Sequence, residues 1–290
     1  CGSHASIVLT NPNSLYYYIN YCSPGGSFIA LIYHNHRITF VVRDLESTNY
    51  KNCGIDVEIC TYAENDPIDM VANILSNNLC NSEIYIEASS QRCSVFQYET
   101  LLSKLPNSSS ITCKDISEIT TRARIIKSSN EIEYIRMAAT YVAHAYKHGL
   151  VKVCVGMTET HLAGELALQK MRAGSEWTSY PEFVSAGKNG TMGHHAPSSM
   201  KTIDKDEIVF MEIGASHMRY HASRMHTIYM GTPPLWYIRL EYCIRLAVKE
   251  ATKMCKPGAM AKNIDRRMRD IIENAFHSSS TTVDCQHKIY

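Results

Sequence analysis

Two parts of this sequence carry residue types that could do chemistry. The first is Pro181 to His195, where Gly187, Gly190 and Gly193 lead into His194 and His195. Glycines let the backbone approach a ligand closely. Paired imidazoles at the end of such a loop can carry protons near neutral pH. The second is Glu212, inside the apolar run Ile208 to Ile213. A carboxylate in so apolar a strand costs free energy unless it is paired, hydrogen-bonded or metal-bound. Glu212 is therefore a candidate base, ligand or orienting group. The plainer alternatives are a solvated loop with two ordinary histidines and a Glu at an exposed strand end.

His217, His221 and His226 follow closely. In one extended strand, positions 217, 219 and 221 share a face, and with His194 they could form a nitrogen-rich metal site. Against this, Met218, Arg219 and Arg224 are not ligands, and no Asp accompanies the histidines. There is no G-x-S-x-G, no P-loop and no G-x-G-x-x-G opening a helix.

The elements that would position these residues follow from periodicity and punctuation. Short β-rich runs at Ala5 to Leu9, Phe28 to Tyr33, Ile38 to Val42, Val57 to Tyr62 and Ile84 to Glu87 predict strands, with a helix over Pro67 to Leu79. These form a small α/β domain over 1–120, with a breaker cluster at Leu105 to Ser110. A long helix starts at a capping box of Ser128 and Glu131, with Ile132, Ile135, Ala139, Val142, Tyr146 and Leu150 on one face. A second starts after Thr158, with Glu159 placed against the helix dipole and Leu162, Leu166, Leu168 and Met171 apolar. A strand over Phe183 to Ala186 precedes the glycine loop. The strand Ile208 to Ile213 should turn near Gly214 into Arg219 to Ala222 and Thr227 to Met230. Helices over Leu235 to Met254 and Ala261 to Phe276 are separated by Lys256-Pro257-Gly258, a helix stop. The tail from His277 to Tyr290 has no clear period. A sheet with so few strands leaves an apolar helix face uncovered, so the second domain, 121–290, reads as truncated at its C-terminal end unless another polypeptide completes it.

Composition narrows the class. The 290 residues are 45% hydrophobic and 20% charged, an ordinary globular mixture that suggests one or two domains. With 29 Lys+Arg against 28 Asp+Glu, the chain has no general attraction for nucleic acid. Its apolar runs are too short to span a bilayer, and no signal-peptide pattern precedes the first strand. The 11 cysteines are odd in number and include no CxxC pair, which fits reduced, mostly buried thiols in the cytoplasm better than a disulfide scaffold or a zinc cluster. The chain begins at Cys1 without Met. This reads as a piece of a longer frame, the alternative being a lipid-anchored mature end. The sequons at Asn107 and Asn189 carry no weight.

Several stretches together resemble the creatinase / Xaa-Pro dipeptidase family, the "pita-bread" fold. Arg124 to Ile132 is similar to its R-x-x-K-S-x-x-E-[IL] segment, and Val155 to Glu159 to its G-M-T-E turn. Phe183 to Ser198 is similar to its S-G-x-N…H-x-x-P-S loop, Glu207 to Ala215 to its D-x-V-x-x-D-x-G-A strand, and Lys256-Pro257-Gly258 to its K-P-G turn. The resemblance covers most of 120–276. It implies an α/β N-terminal domain followed by an α+β pita-bread (creatinase/aminopeptidase-like) domain, incomplete here.

The resemblance assigns His194, three residues before Pro197, the catalytic histidine. In the peptidase branch two Asp on the hairpin, then a His and two Glu further on, bind two metal ions. This sequence has Glu212 in the first Asp position and Ser223 in the second, and the later ligands would lie beyond Tyr290. Ser cannot replace a bridging carboxylate for hard divalent cations. The metal-free creatinase and ectoine-hydrolase-like branch is the closer resemblance, through Arg219-Tyr220-His221-Ala222. It implies metal-independent hydrolysis of a C–N bond in a small amide or amidine, with His194 and Glu212 catalytic, Tyr220 and His221 binding substrate, and no cofactor. The alternatives are a prolidase-type metallopeptidase with Mn or another divalent metal pair, and a catalytically inactive homologue acting in binding or dimerisation. The family also implies a homodimer.

Overall fold

The computed structural model describes residues 5–20, 28–50, 56–78, 83–90, 92–106 and 111–277. The chain start at Cys1, the sequon at Asn107 and the tail from residue 278 lie outside the described residues. The chain forms two compact units that divide between Ser128 and Ser129. The division falls after helix Ser117–Ala123, beyond the boundary expected at residue 120.

The first unit is a six-stranded mixed sheet with helices on both faces. In chain order its elements are β1 (Ser6–Leu9), α1 (Pro12–Ile19), β2 (Ala30–His34), β3 (Arg37–Arg43), α2 (Ser47–Tyr50), β4 (Glu58–Tyr62), α3 (Pro67–Asn78), β5 (Glu83–Ile86), α4 (Val95–Lys104), β6 (Thr112–Asp115) and α5 (Ser117–Ala123). The strands lie in the order β4-β3-β2-β1-β5-β6. One face packs Val8, Ile32, Val41 and Ile84 with Val71, Leu75 and Leu101; the other packs Leu9, Leu31, Phe40 and Val42 with Leu15, Ile19 and Ile116. The five predicted strands are present within a residue or two. Helix α1 was not predicted, although Asn11 caps it through its side chain and Pro12 stands at its first position, a standard start signal. Its cap region is completed by the buried Glu87, which accepts from the Thr10 and Asn11 amides at 3.1 and 3.0 Å.

The second unit runs α6 (Ser129–Lys152), α7 (Glu159–Arg172), β7 (Phe183–Ala186), β8 (Ile208–His217), β9 (Tyr220–Tyr229), α8 (Leu235–Met254) and α9 (Ala261–His277). Its sheet is antiparallel in the order β7-β8-β9. Alternation along β8 sends Val209, Met211, Ile213 and Ala215 into a core with Tyr141, Val142, Ala145 and Tyr146 of α6 and Leu162 and Leu166 of α7. The opposite face carries Phe210, Glu212 and Gly214 of β8, with Phe183 of β7 and Ser223 and Met225 of β9. On α8, Leu235, Trp236 and Tyr242 are exposed.

Several expectations need correction. The hairpin turn is not near Gly214: β8 continues to His217, and the turn is made by Met218 and Arg219 at φ 47° and 61°. Gly214 is a mid-strand residue whose missing Cβ leaves room for a neighbouring segment. The buried face of α7 is Leu162, Ala163, Leu166, Gln169 and Lys170, while Leu168 and Met171 are exposed. The buried face of α6 is likewise rotated, to Ala138, Tyr141, Val142, Ala145, Tyr146 and Gly149, leaving Ile132 and Leu150 exposed. A Cβ on Gly149 would meet Leu166 Cδ2 at 2.5 Å, so this glycine marks the close approach of α6 and α7. The described free cysteines are not mostly buried: Cys93 is, but Cys154 and Cys255 are exposed.

Candidate active site

Strand register brings the site together. Phe183 pairs with Glu212 across β7 and β8, so both side chains stand on the open face of the sheet. Glu212 is 6% exposed. The loop after β7 passes through a 3₁₀ turn, Gly187–Thr191, and delivers His194 with a left-handed backbone at φ 54°. Such a conformation is uncommon outside glycine and collects at functional sites. The His194 imidazole lies against the Phe183 ring, centroids 5.1 Å apart, and Phe183 stacks on Tyr180 at 6.0 Å. His194 Nε2 stands 3.9 Å from Glu212 Oε2. That gap exceeds a hydrogen bond.

Tyr180 was not foreseen as part of the site. Its ring lies over Gly214, where a Cβ would meet Ser179 Oγ at 1.8 Å and Tyr180 Cε1 at 2.8 Å. Burial pushes the Tyr180 phenol up, the Ser223 hydroxyl opposes this, and the Glu212 charge adds to it. The segment carrying Tyr180 is pinned by Lys170, which is fully buried. Its ammonium donates to Thr178 Oγ1 at 2.8 Å and Gly214 O at 3.0 Å, and pairs with Glu182. Lys170 could have been found from the sequence, because the i, i+4, i+8 spacing from Leu162 through Leu166 places position 170 at the edge of the buried stripe. Behind the sheet, the Tyr146 hydroxyl reaches the Met211 and Arg224 carbonyls at 2.6 and 2.7 Å, and burial raises its pKa strongly.

The structure brings His194 and Glu212 together; it does not bring Tyr220 to them. Tyr220 pairs with His217 at the tip of the hairpin and turns to the helix-covered face, where it donates to Glu131 Oε1 at 2.7 Å and packs on Tyr134. Sequence proximity misled here because adjacent strand residues point to opposite faces. His221 shares the face of Glu212, but it pairs with Ser216, four positions further along β8. The histidines do not converge either, since the turn at Met218 puts His217 and His221 on opposite faces. His217 instead meets Tyr141 through Nδ1 at 3.0 Å.

A sequence model of metallopeptidase family M24 matches residues 133–289, more than half of the chain. The chain belongs to family M24. Among curated M24-like relatives, the Xaa-Pro dipeptidase of Lactobacillus helveticus is 27% identical over 271 residues, 92% of this chain and 73% of that protein. The ectoine hydrolase of Halomonas elongata is 29% identical over 180 residues, 58% of this chain and 43% of that protein. The fold is similar to the crystal structure of the prolidase from Pyrococcus horikoshii OT3, with a TM-score of 0.81, 21% identity, and 94% of this chain and 74% of that chain covered. This M24 chain thus has the pita-bread fold expected of it. Among the described residues no helix is long and apolar enough to cross a membrane.

The family description implies metal, and the residues present test that. Hard divalent cations collect several carboxylate oxygens. Glu212 supplies one carboxylate, Ser223 offers a neutral hydroxyl, and among the described residues no three His, Cys, Asp or Glu side chains form a metal-holding group. Within the described residues, this face therefore offers a single carboxylate and a hydroxyl toward a metal.

Proposed function

We propose that this M24 chain hydrolyses an amide C–N bond in a small substrate of the Xaa-Pro dipeptide class. The observation that carries the proposal is the His194 imidazole held 3.9 Å from the buried Glu212 carboxylate beside an aromatic wall. The dipeptidase similarity, which spans 92% of the chain, favours this substrate class over others. Phe183 and Tyr180 offer a flat apolar surface suited to a proline ring.

Hydrolysis adds water across the bond: hydroxyl goes to the carbonyl carbon and a proton to the leaving nitrogen. Glu212 Oε2 orients the attacking water and accepts its proton. His194 Nε2 is on the exposed side of the site and delivers the proton to the leaving nitrogen.

A second reading has a specific observation in its favour. Ser223 in place of an acid favours metal-independent hydrolysis of a small amide or amidine, the class of the ectoine hydrolase that is similar over 58% of the chain. One experiment separates the two. The purified chain is assayed on Xaa-Pro dipeptides and on ectoine, with added Mn²⁺ and with EDTA. Dipeptide turnover supports the first reading. Ectoine turnover unaffected by EDTA supports the second. Turnover of neither substrate overturns both and favours an inactive homologue acting in binding.

A further inference from the structure

We infer that Glu159 is a positioning residue for this site: its carboxylate closes the neck of the loop that carries His194. The inference rests on the reading of His194 as the proton-transferring imidazole and adds how that imidazole is held.

Glu159 is the first residue of α7 and is fully buried. A carboxylate removed from water must find compensation, and Glu159 finds it in neutral N–H groups. Oε1 accepts from the Ala186 amide at 2.7 Å and from Asn189 Nδ2 at 3.1 Å. Oε2 accepts from the Ser198 amide at 2.9 Å, with Asn189 Nδ2 at 3.3 Å. The N-terminal end of α7 adds its partial positive charge. Thr158 caps the helix, so the interaction of Glu159 with the helix dipole is the smaller part of what this residue does.

Ala186 and Ser198 are the two ends of the loop. Both bind one carboxylate, so residues 187–197 are closed off as an Ω-type loop, and Asn189 ties the inside of the loop to the same group. Thr160 strengthens the neck, its amide donating to Ser198 O at 3.3 Å and its hydroxyl to Pro197 O at 3.3 Å. A second clasp lies beside it: Lys201 Nζ donates to both Glu207 oxygens at 2.9 Å, and Glu207 Oε2 fills the space a Cβ on Gly187 would need.

His194 needs this help because it is not packed in place. Its side chain is 73% exposed, and its ring contact is with Phe183. Its distance to Glu212 is therefore set by where the loop closes. An amide cannot substitute for the carboxylate. Glutamine would keep one acceptor and turn an NH₂ toward a peptide N–H, so one side of the neck would open. Displacing a reacting group by about 1 Å can cost on the order of 100-fold in rate.

The test uses the full chain and Glu159→Gln. Amide hydrogen exchange at Ala186 and Ser198 should accelerate about tenfold or more, with Val184 and Met211 unchanged, and the His194 imidazole NMR signal should shift. On the substrate the chain accepts, kcat should fall about tenfold or more with KM little changed. In a His194→Ala background the same substitution should cost nothing further, since a positioning residue acts through the group it positions. Equal losses in both backgrounds, or unchanged exchange at Ala186 and Ser198, would overturn the inference. If Glu159→Gln does not fold, Asn189→Ala removes two of the four contacts from the loop side and must still shift the His194 signal; an unmoved signal overturns the inference equally. If the wild-type chain turns over neither substrate class, the proposed function fails, and the exchange and imidazole measurements decide the role of Glu159 without it.

Discussion

Phe183 sits directly opposite Glu212 across the β7–β8 ladder. One register thus fixes both the ring that touches His194 and the carboxylate that His194 faces. A slip of one residue would set Phe183 opposite Met211 or Ile213 and put it on the other face from Glu212, because side chains alternate along a strand. The candidate site depends on strand pairing as much as on residue type.

His194→Ala should lower kcat/KM on the accepted substrate by about a hundredfold or more, the scale of a lost general acid–base group. Because the imidazole is exposed, unfolding in urea should change by no more than about 0.5 kcal/mol. Turnover equal to wild type would remove His194 from the chemistry.

Lys170→Met should be strongly destabilising. It strands the Glu182 carboxylate and leaves Gly214 O and Thr178 Oγ1 without their donor. Breaking a buried pair from one side costs about 3–5 kcal/mol, readable as a lower urea midpoint. Lys170→Met with Glu182→Gln should recover part of the loss, since the uncompensated charge is gone. Equal stability of the single and double variants would show that the pair is not the cause.

Stability should decline on acidification through His226. Burial, then the Arg224 and Arg245 guanidinium groups, hold this imidazole below its ordinary value of 6.5. The unfolded chain therefore binds a proton that the folded chain refuses, and stability falls as pH drops below about 6.5 towards the folded value. Above that window the group contributes no slope. Thermal unfolding followed from about pH 8 to pH 5 should show this decline, and His226→Gln should flatten it. An identical slope in the variant would assign the acid sensitivity elsewhere.

Ser223→Asp should create affinity for a hard divalent cation. It places a second carboxylate on the face that Glu212 occupies, two pairs along the hairpin and opposite Gly214. Titration calorimetry with MnCl₂ should show binding at least about tenfold tighter than wild type, because carboxylate oxygens are the ligands such ions select. No gain would mean that Ser223 does not stand where a shared ion could reach both groups.

Much of this molecule was legible in its sequence. Local punctuation fixed the elements: Thr158 before α7, Pro257-Gly258 between α8 and α9, and alternating apolar runs in the first unit. The order of motifs from Arg124 to Gly258 pointed to the fold, and two candidate side chains, His194 and Glu212, stood out by type and surroundings. These are properties of neighbours along the chain, or of a carboxylate set in apolar company.

What the sequence could not supply is which distant groups meet. Tyr220 follows the same hairpin as Glu212 yet faces the helices, because the turn falls at Met218 and Arg219 and sets which residues share a face. Tyr180 enters the site only because Gly214, in another segment, lacks a Cβ. Glu159 reads as a helix start until Ala186 and Ser198 are seen on its two oxygens. Side-chain type and period are encoded locally and can be read residue by residue. Register, face and the closing of a loop are decided by long-range pairing, where the free energy of packing selects one partner among many that the sequence would permit.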